Sequence, residues 1–317
     1  MNRLHTHTQT HTHLTLYPLK TIKQTDIFSI MGVYPGFKYP PEEGTPVAGL
    51  EGTGVVAEVG QGVTKFTVGQ RVVGLPFPSV EQGVGTWQQY LVAGEDNLAA
   101  VPDAVSDAAA ASFFVNPVTV VGMLREINAP AGEWIVQTGA GSTLGRQLIQ
   151  VAKHQGVKTI NVVRRQALVD ELKALGANEV IVSTEEDVTE RIKEITGGKG
   201  AWGALDCVGG ELFQKVASGV RNDGLAIIYG AMDGLGASFA VPDPLFRGIV
   251  IKGFWLIKWM KSLSGEERAS VVDEVMGLLA SGVMGIHEGK RFSLDQVVEA
   301  VQESQQPARG GKVYIEG

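Results

Sequence analysis

Apolar and polar positions change rhythm twice along this chain. From about residue 45 to 115, short valine-rich runs are separated by glycines, as in GLEGTGVVAEVGQGVTKFTVGQRVVGL, and GTWQQYLVAG continues the style. Short alternating runs between turn residues predict a small, highly curved β domain. SDAAAASFFVNPVTVVGMLREI then switches to helix-forming alanine and leucine and marks the passage into a second domain. From residue 134 the rhythm is strand, turn, helix. EWIVQTG is followed by STLGRQLIQVAKHQG, where Leu144, Leu148, Val151 and Ala152 recur at helical spacing. The alternation continues through KTINVV, ALVDELKALG, EVIVS, DVTERIKEITG, WGALDCVG, ELFQKVASGV and GLAIIYG, with IVIKGFW as one further strand. That order predicts an α/β domain with a doubly wound parallel sheet. Ser264 with Glu267 forms a capping box before RASVVDEVMGLLASG, with Gly282 as its stop, and Ser293 with Gln296 repeats the device. GGKVYIEG closes the chain as a strand.

Composition narrows the function. A chain of 317 residues exceeds one ordinary core, and 44% apolar with 19% charged residues is a globular composition. No apolar run reaches membrane-spanning length. A net charge of −7 argues against nucleic acid as a partner. The single cysteine, Cys207, excludes an intramolecular disulfide framework and fits a reducing compartment. It also argues against metal: outside the N-terminal tail only Cys207, His154 and His287 are available, and zinc needs three or four such ligands. Cys207 in ALDCVGG reads as a buried packing residue. The tail, residues 1–25, is expected to be disordered and of low complexity. HTHTQTHTH carries four of the six histidines and would, as an extended strand, offer a transition metal one face. Arg3, Lys20 and Lys23, with no acid before Asp26, have the charge bias of a mitochondrial presequence but little of its serine and arginine content.

The first chemical candidate is VQTGAGSTLGRQL. Gly139, Gly141 and Gly145 follow a strand and open a helix, where backbone N–H groups and the helix dipole hold a pyrophosphate. The spacing is one residue longer than the NAD fingerprint. The next strand ends in NVVRRQ, with Arg164 and Arg165 where an NAD site places an acid. Paired guanidiniums suit a 2′-phosphate, so NADPH is preferred over NADH. A second candidate is SIMGVYPGF, residues 29–37, which sets Tyr34 in a glycine- and proline-punctuated loop. Taken alone, this is either a surface ring or a reactive hydroxyl.

GVYPGF, GTWQQYLV, VNPVTVVGML, TINVVRR, LDCVGG, YGAM, GFWLIKW and GGKVYI together resemble the zinc-lacking medium-chain dehydrogenase/reductases, and within them the mitochondrial-type 2-enoyl thioester reductases. The likeness runs from about Asp26 to the C-terminus. It implies a GroES-like catalytic domain over residues 26–115, completed by 258–317, and a Rossmann domain over 116–257. It assigns proton donation to Tyr34 and the nicotinamide end to Asn116. The pyrophosphate turn falls on Gly141, Ser142, Thr143 and Leu144, and a 2′-phosphate contact on Arg164. Tyr229, Gly230, Ala231 and Met232 match the loop under the cofactor. Phe254, Trp255 and Leu256 match the nicotinamide and acyl lining, with Trp255 also contacting substrate, and Lys312 matches a further cofactor contact. Arg164-Arg165-Gln166 departs from the family's Arg-Asp-Arg.

The implied activity is NADPH-dependent reduction of trans-2-enoyl thioesters carried by coenzyme A or acyl carrier protein, in fatty-acid synthesis. Lys258 and Lys261 are candidates for the carrier's acidic groups. A homodimer joined through the sheet edge is expected, in the mitochondrial matrix of a eukaryote or the cytoplasm of a bacterium. The competing readings are an NADPH:quinone reductase of the same fold and a non-catalytic NADPH-binding relative.

Overall fold

The computed structural model describes residues 12–32, 47–75, 85–306 and 310–317. They form two compact units, Met1–Val115 with Ile286–Gly317, and Asn116–Gly285. In chain order the first unit contains β1 (Thr12–Thr21), α1 (Gln24–Ile30), β2 (Gly52–Val59), β3 (Arg71–Gly74), β4 (Tyr90–Gly94), β5 (Leu98–Ala100) and α2 (Asp107–Ala111). The second holds α3 (Val115–Ile127), β6 (Trp134–Gln137), α4 (Thr143–His154), β7 (Lys158–Val163), α5 (Val169–Leu175), β8 (Glu179–Val182) and α6 (Val188–Ile195). It continues with β9 (Ala201–Asp206), α7 (Gly210–Ser218), β10 (Val220–Ile228), α8 (Pro242–Phe246), β11 (Val250–Gly253), α9 (Leu256–Ser262) and α10 (Gly265–Ala280). The chain then returns to the first unit through β12 (Glu288–Ser293), α11 (Val297–Ser304) and β13 (Lys312–Glu316).

The first unit is a seven-stranded sheet ordered β12-β13-β1-β2-β3-β5, with β4 also on β1. Its curvature is visible in β1. Thr12–Leu16 pair with β4, whereas Leu19–Thr21 pair with β13, and the register against β2 shifts between Leu16 and Leu19. Pro18 sits at that shift, where a missing N–H costs the ladder least. This strand corrects one expectation. Residues 12–21 of the supposed disordered tail are an integral strand, because backbone pairing with β2, β4 and β13 does not depend on side-chain hydrophobicity.

A buried ionic cluster fastens the strands. Glu51, 2% exposed, precedes β2 and accepts hydrogen bonds from Thr21 Oγ1 (2.8 Å), Lys312 Nζ (3.0 Å) and the Val115 N–H (2.8 Å). Lys23 Nζ adds an ion pair at 2.5 Å. Burial pushes the Glu51 carboxyl up, but Lys23 and Lys312 outweigh it and hold it at about 2. Asp26 caps α1 by accepting from the Lys23 N–H (2.7 Å) and also takes the Leu50 N–H (3.0 Å). Here burial dominates, and its carboxyl is raised to about 7.

The second unit is a six-stranded parallel sheet ordered β11-β10-β9-β6-β7-β8. Alternate residues feed two cores. Val162 and Ile181 pack with Phe213 and Val216 on one face, while Val163, Val180 and Val182 pack with Ile149 and Leu172 on the other. Burial on both faces is why these strands read as unbroken apolar runs. The expected return to the first domain at residue 258 occurs instead at Ile286. Residues 258–285 stay with α3 and α4: Trp259 Nε1 donates to Glu126 (3.1 Å), Arg125 pairs with Glu274 (2.5 Å), and the Gly285 N–H donates to Gln150 (3.0 Å).

Replacing Glu51 with glutamine strands two buried ammoniums, at a cost of about 3–5 kcal/mol in denaturant unfolding. Because the Glu51 carboxyl is held below its ordinary value, its stabilisation is complete above pH 4.5 and lost as pH falls toward 2. The acid limb of a stability–pH curve should therefore be shallower in Glu51→Gln than in the parent protein.

Candidate nucleotide site at the sheet switch point

The chain runs from β6 outward through β7 to β8, then crosses back to lay β9 on the other side of β6. In doubly wound sheets the crevice beyond the carboxyl ends of such a strand pair receives the ligand. Here those ends are the β6–α4 turn and the β9–α7 turn.

The β6–α4 turn is built for close approach. The Thr138 N–H donates to Leu205 O (3.0 Å), which prolongs the pairing with β9 by one residue. Gly139 then adopts φ +61°, and a Cβ there would stand 2.5 Å from Cys207 Sγ. At Gly145 a Cβ would lie 2.6 Å from Ala140 Cα, so only glycine lets the first turn of α4 rest on the turn that leads into it. Ser142 is the N-cap, its Oγ accepting the Gly145 N–H at 3.0 Å. The Thr143 and Leu144 N–H groups have no intrahelical acceptor and form the positive end of a twelve-residue helix. Lys153 and His154 in its last turn complement the other pole. The cradle fits a pyrophosphate.

Arg164 and Arg165 follow β7 directly, and both are exposed. Pairing of Gln137 with Asn161 sets this end of β7 alongside the glycine turn. The Arg164 carbonyl is fixed by Thr184 Oγ1 at 3.2 Å. Their guanidiniums suit a phosphate on the adenosine ribose.

Residues 229–233 zip against 206–208 through three backbone bonds: Tyr229 N to Asp206 O (2.8 Å), Met232 N to Cys207 O (3.0 Å) and Asp233 N to Val208 O (2.9 Å). Tyr229, Gly230, Ala231 and Met232 thereby lie beside the switch point. Met232 is 70% exposed, and burial and neighbouring Cys207 push the Tyr229 phenol well above its usual range. Phe254, Trp255 and Leu256 follow β11, held by Phe254 N to Ile228 O (2.8 Å). Phe254 and Leu256 are core residues, Phe254 packing on Trp259 with ring centroids 5.6 Å apart. Trp255, 39% exposed, is the one of the three that presents a face. Asn116 lies half-buried in the first turn of α3.

Two predicted residues fall outside the described residues of the second unit. Tyr34 lies outside the described residues. Lys312 belongs to the first unit, where its side chain is 5% exposed and its ammonium is held by Glu51. Sequence reasoning missed Thr138 and Asp206, which bridge the two turns, and missed Glu51 and Asp26. An isolated acid inside the apolar stretch AGLEGTGVV was the available signal for Glu51.

Against this geometry, comparisons with known proteins are specific. A family model described as an alcohol dehydrogenase GroES-like domain matches residues 19–103, and one described as a zinc-binding dehydrogenase matches 143–275. The mitochondrial enoyl-[acyl-carrier-protein] reductase of Caenorhabditis elegans is 36% identical over 286 residues, which are 88% of this chain and 79% of that protein. The chain belongs to the enoyl thioester reductases of the medium-chain dehydrogenase/reductase family.

Among solved structures, a quinone oxidoreductase of Pseudomonas syringae matches with a TM-score of 0.85 and 26% identity, covering 100% of this chain and 94% of that one. The Etr1p complex with NADP and crotonyl-CoA shares the fold, with a TM-score of 0.86 and 23% identity, covering 98% and 92%. The GroES-like and Rossmann assignments follow from these matches. The donors among the described residues do not fit the zinc of the dehydrogenase family's description. Among the described residues no group of three His, Cys, Asp or Glu comes together. Burial raises the Cys207 thiol above its ordinary range, and its Sγ is 3.7 Å from both Thr138 O and Met232 Sδ.

The turn of this reductase is testable by stability alone. Ser142→Ala removes a cap at about 1 kcal/mol. Gly145→Val drives a side chain into backbone and should cost more, about 1–3 kcal/mol for the overpacking. Urea unfolding of both variants measures the difference.

Proposed function

We propose that this enzyme uses NADPH to reduce the 2,3 double bond of trans-2-enoyl thioesters carried on coenzyme A or acyl carrier protein, as a step of fatty-acid synthesis. The observation that carries this reading is the 36% identity to an enoyl-[acyl-carrier-protein] reductase across most of both chains. It is supported by the glycine cradle at Gly139–Gly145 and by the exposed pair Arg164 and Arg165. The cradle would hold the pyrophosphate on the Thr143 and Leu144 N–H groups, and the arginines would take the 2′-phosphate. Tyr229 to Met232 and Asn116 would flank the nicotinamide, with Trp255 against the acyl chain.

When bound, NADPH supplies a hydride. Its arrival at the β carbon leaves enolate charge on the thioester oxygen, and a proton must then reach the α carbon. Tyr34 is the proposed donor. A phenol with an ordinary value near 10 is protonated at neutral pH and needs no tuning to donate. Positioned acid catalysis of this kind is worth roughly 10²–10⁴ in rate. Trp255 would cover the reacting carbons and keep water from them. Lys312, bound to Glu51, would act by holding β13 in place rather than through a free charge.

The rival reading, an NADPH:quinone reductase, is favoured by the fold and 26% identity of the Pseudomonas syringae enzyme. Hydride delivery to a quinone depends less on a placed proton donor. Tyr34→Phe separates the two. Crotonyl-CoA reduction should fall by about 10²–10⁴-fold, while quinone reduction survives. An unchanged rate with crotonyl-CoA would remove Tyr34 from the mechanism.

The proposed assembly is a homodimer joined along β11. That strand ends the sheet, and Val241, Leu245, Phe246 and Val250 are 62%, 65%, 78% and 56% exposed around it. Unpaired strand edges with apolar flanks recruit a partner strand. Phe246→Asp should shift the mass measured by light scattering from dimer to monomer. The proposed compartment is the mitochondrial matrix in a eukaryote or the cytoplasm in a bacterium; the relatives' own names say mitochondrial.

A further inference from the structure

Between the two glycine turns of the switch point lies a carboxyl group that no step above uses. Asp206, the last residue of β9, is wholly buried. Its Oδ1 accepts from Thr138 Oγ1 at 2.6 Å, and its Oδ2 accepts from the Gly209 N–H at 2.7 Å. Thr138 Oγ1 in turn accepts the Cys207 N–H at 3.0 Å. One hydroxyl and one carboxyl therefore connect the residue before Gly139 to the start of the β9–α7 turn. Gly209 itself adopts φ +81° and ψ −149°, a region only glycine occupies easily. A Cβ there would stand 2.9 Å from Gly236 O, so the bond from its N–H to Asp206 pins a turn that only glycine can make.

We infer that Thr138 and Asp206 are positioning residues for the dinucleotide: they lock the turns at the ends of β6 and β9 into one fixed edge before the ligand arrives. The inference rests on the reading that the Gly139–Gly145 turn takes the pyrophosphate. A valine has nearly the shape of a threonine, so Thr138→Val keeps the packing of this buried position and removes only its hydrogen bonds. What a valine lacks is the hydroxyl, and its loss leaves Asp206 Oδ1 without a donor and the Cys207 N–H without an acceptor. The turn would still form, but as a set of conformers. Binding would then have to order it, which weakens affinity without altering the bound state.

The test compares Thr138→Val, Thr138→Ser and Asp206→Asn in the full-length protein, by NADPH fluorescence titration, steady-state kinetics with crotonyl-CoA and thermal unfolding. Thr138→Val is expected to weaken NADPH binding about tenfold, raise KM for NADPH in parallel and leave kcat at saturation near the parent value. Thr138→Ser, which keeps the hydroxyl, is expected to restore affinity. Asp206→Asn keeps the volume and one acceptor, and should fall between them. Equal affinity in the valine and serine variants overturns the inference. So does a fall in kcat with NADPH affinity unchanged, or a fall in thermal stability alone. Should Thr138→Val fail to fold, unchanged NADPH affinity in Asp206→Asn overturns it and weakened affinity supports it. A parent protein that fails to bind NADPH removes the nucleotide reading itself, and this inference with it. Loss confined to the variants keeps the two questions apart.

Discussion

The carboxylate of Glu51 organises the first unit. It stands at the head of β2 and draws in Thr21 and Lys23 from the N-terminal strand and its following turn, Lys312 from the C-terminal strand, and the N–H of Val115 at the approach to α3. Those partners lie up to 261 residues away in sequence. A buried ion pair contributes little net stability, yet removing one member is severe because the other charge is then stranded. Its effect is to specify which strands meet. Any alternative register of β1 or β13 would bury an ammonium away from its counter-charge.

Asp206 solves the same problem of a buried carboxyl by another route. Its partners are a threonine hydroxyl and backbone N–H groups, not cations, and burial raises its carboxyl above the ordinary range. Glu51 holds its own value down with two lysines. In the proposed nucleotide reading, neutral partners for Asp206 leave Arg164 and Arg165 as the cations offered to a phosphate. The first unit thus holds its buried carboxylate with charge, and the second holds its own with neutral donors.

The second unit was largely legible in the sequence because its signals are local. Each parallel strand is an apolar run, each helix has its period, and Ser264 with Glu267 makes the expected capping box. The glycine turn was readable for the same reason, since Gly139 and Gly145 are required by contacts within a few residues or across one strand pair. What stayed hidden depends on long-range closure. The strand at Thr12–Thr21 carries a threonine- and histidine-rich sequence and owes its structure to partners at residues 52–59, 90–94 and 314–316. The boundary at Ile286 was missed because residues 258–285 have no composition break, and only the packing of Trp259, Glu274 and Gly285 onto α3 and α4 retains them. Thr138 and Asp206 are 68 positions apart, and neither is unusual in its local context.

The pairing of β1 with β13 also orders events in time. The second unit is one continuous stretch, Asn116–Gly285, and all of its strands are synthesised before β12. The first unit takes strands from either side of that stretch and cannot close until β13 is made. Until then the strands on its amino-terminal side lack that partner, and an unpaired edge of this kind is open to chaperones and proteases.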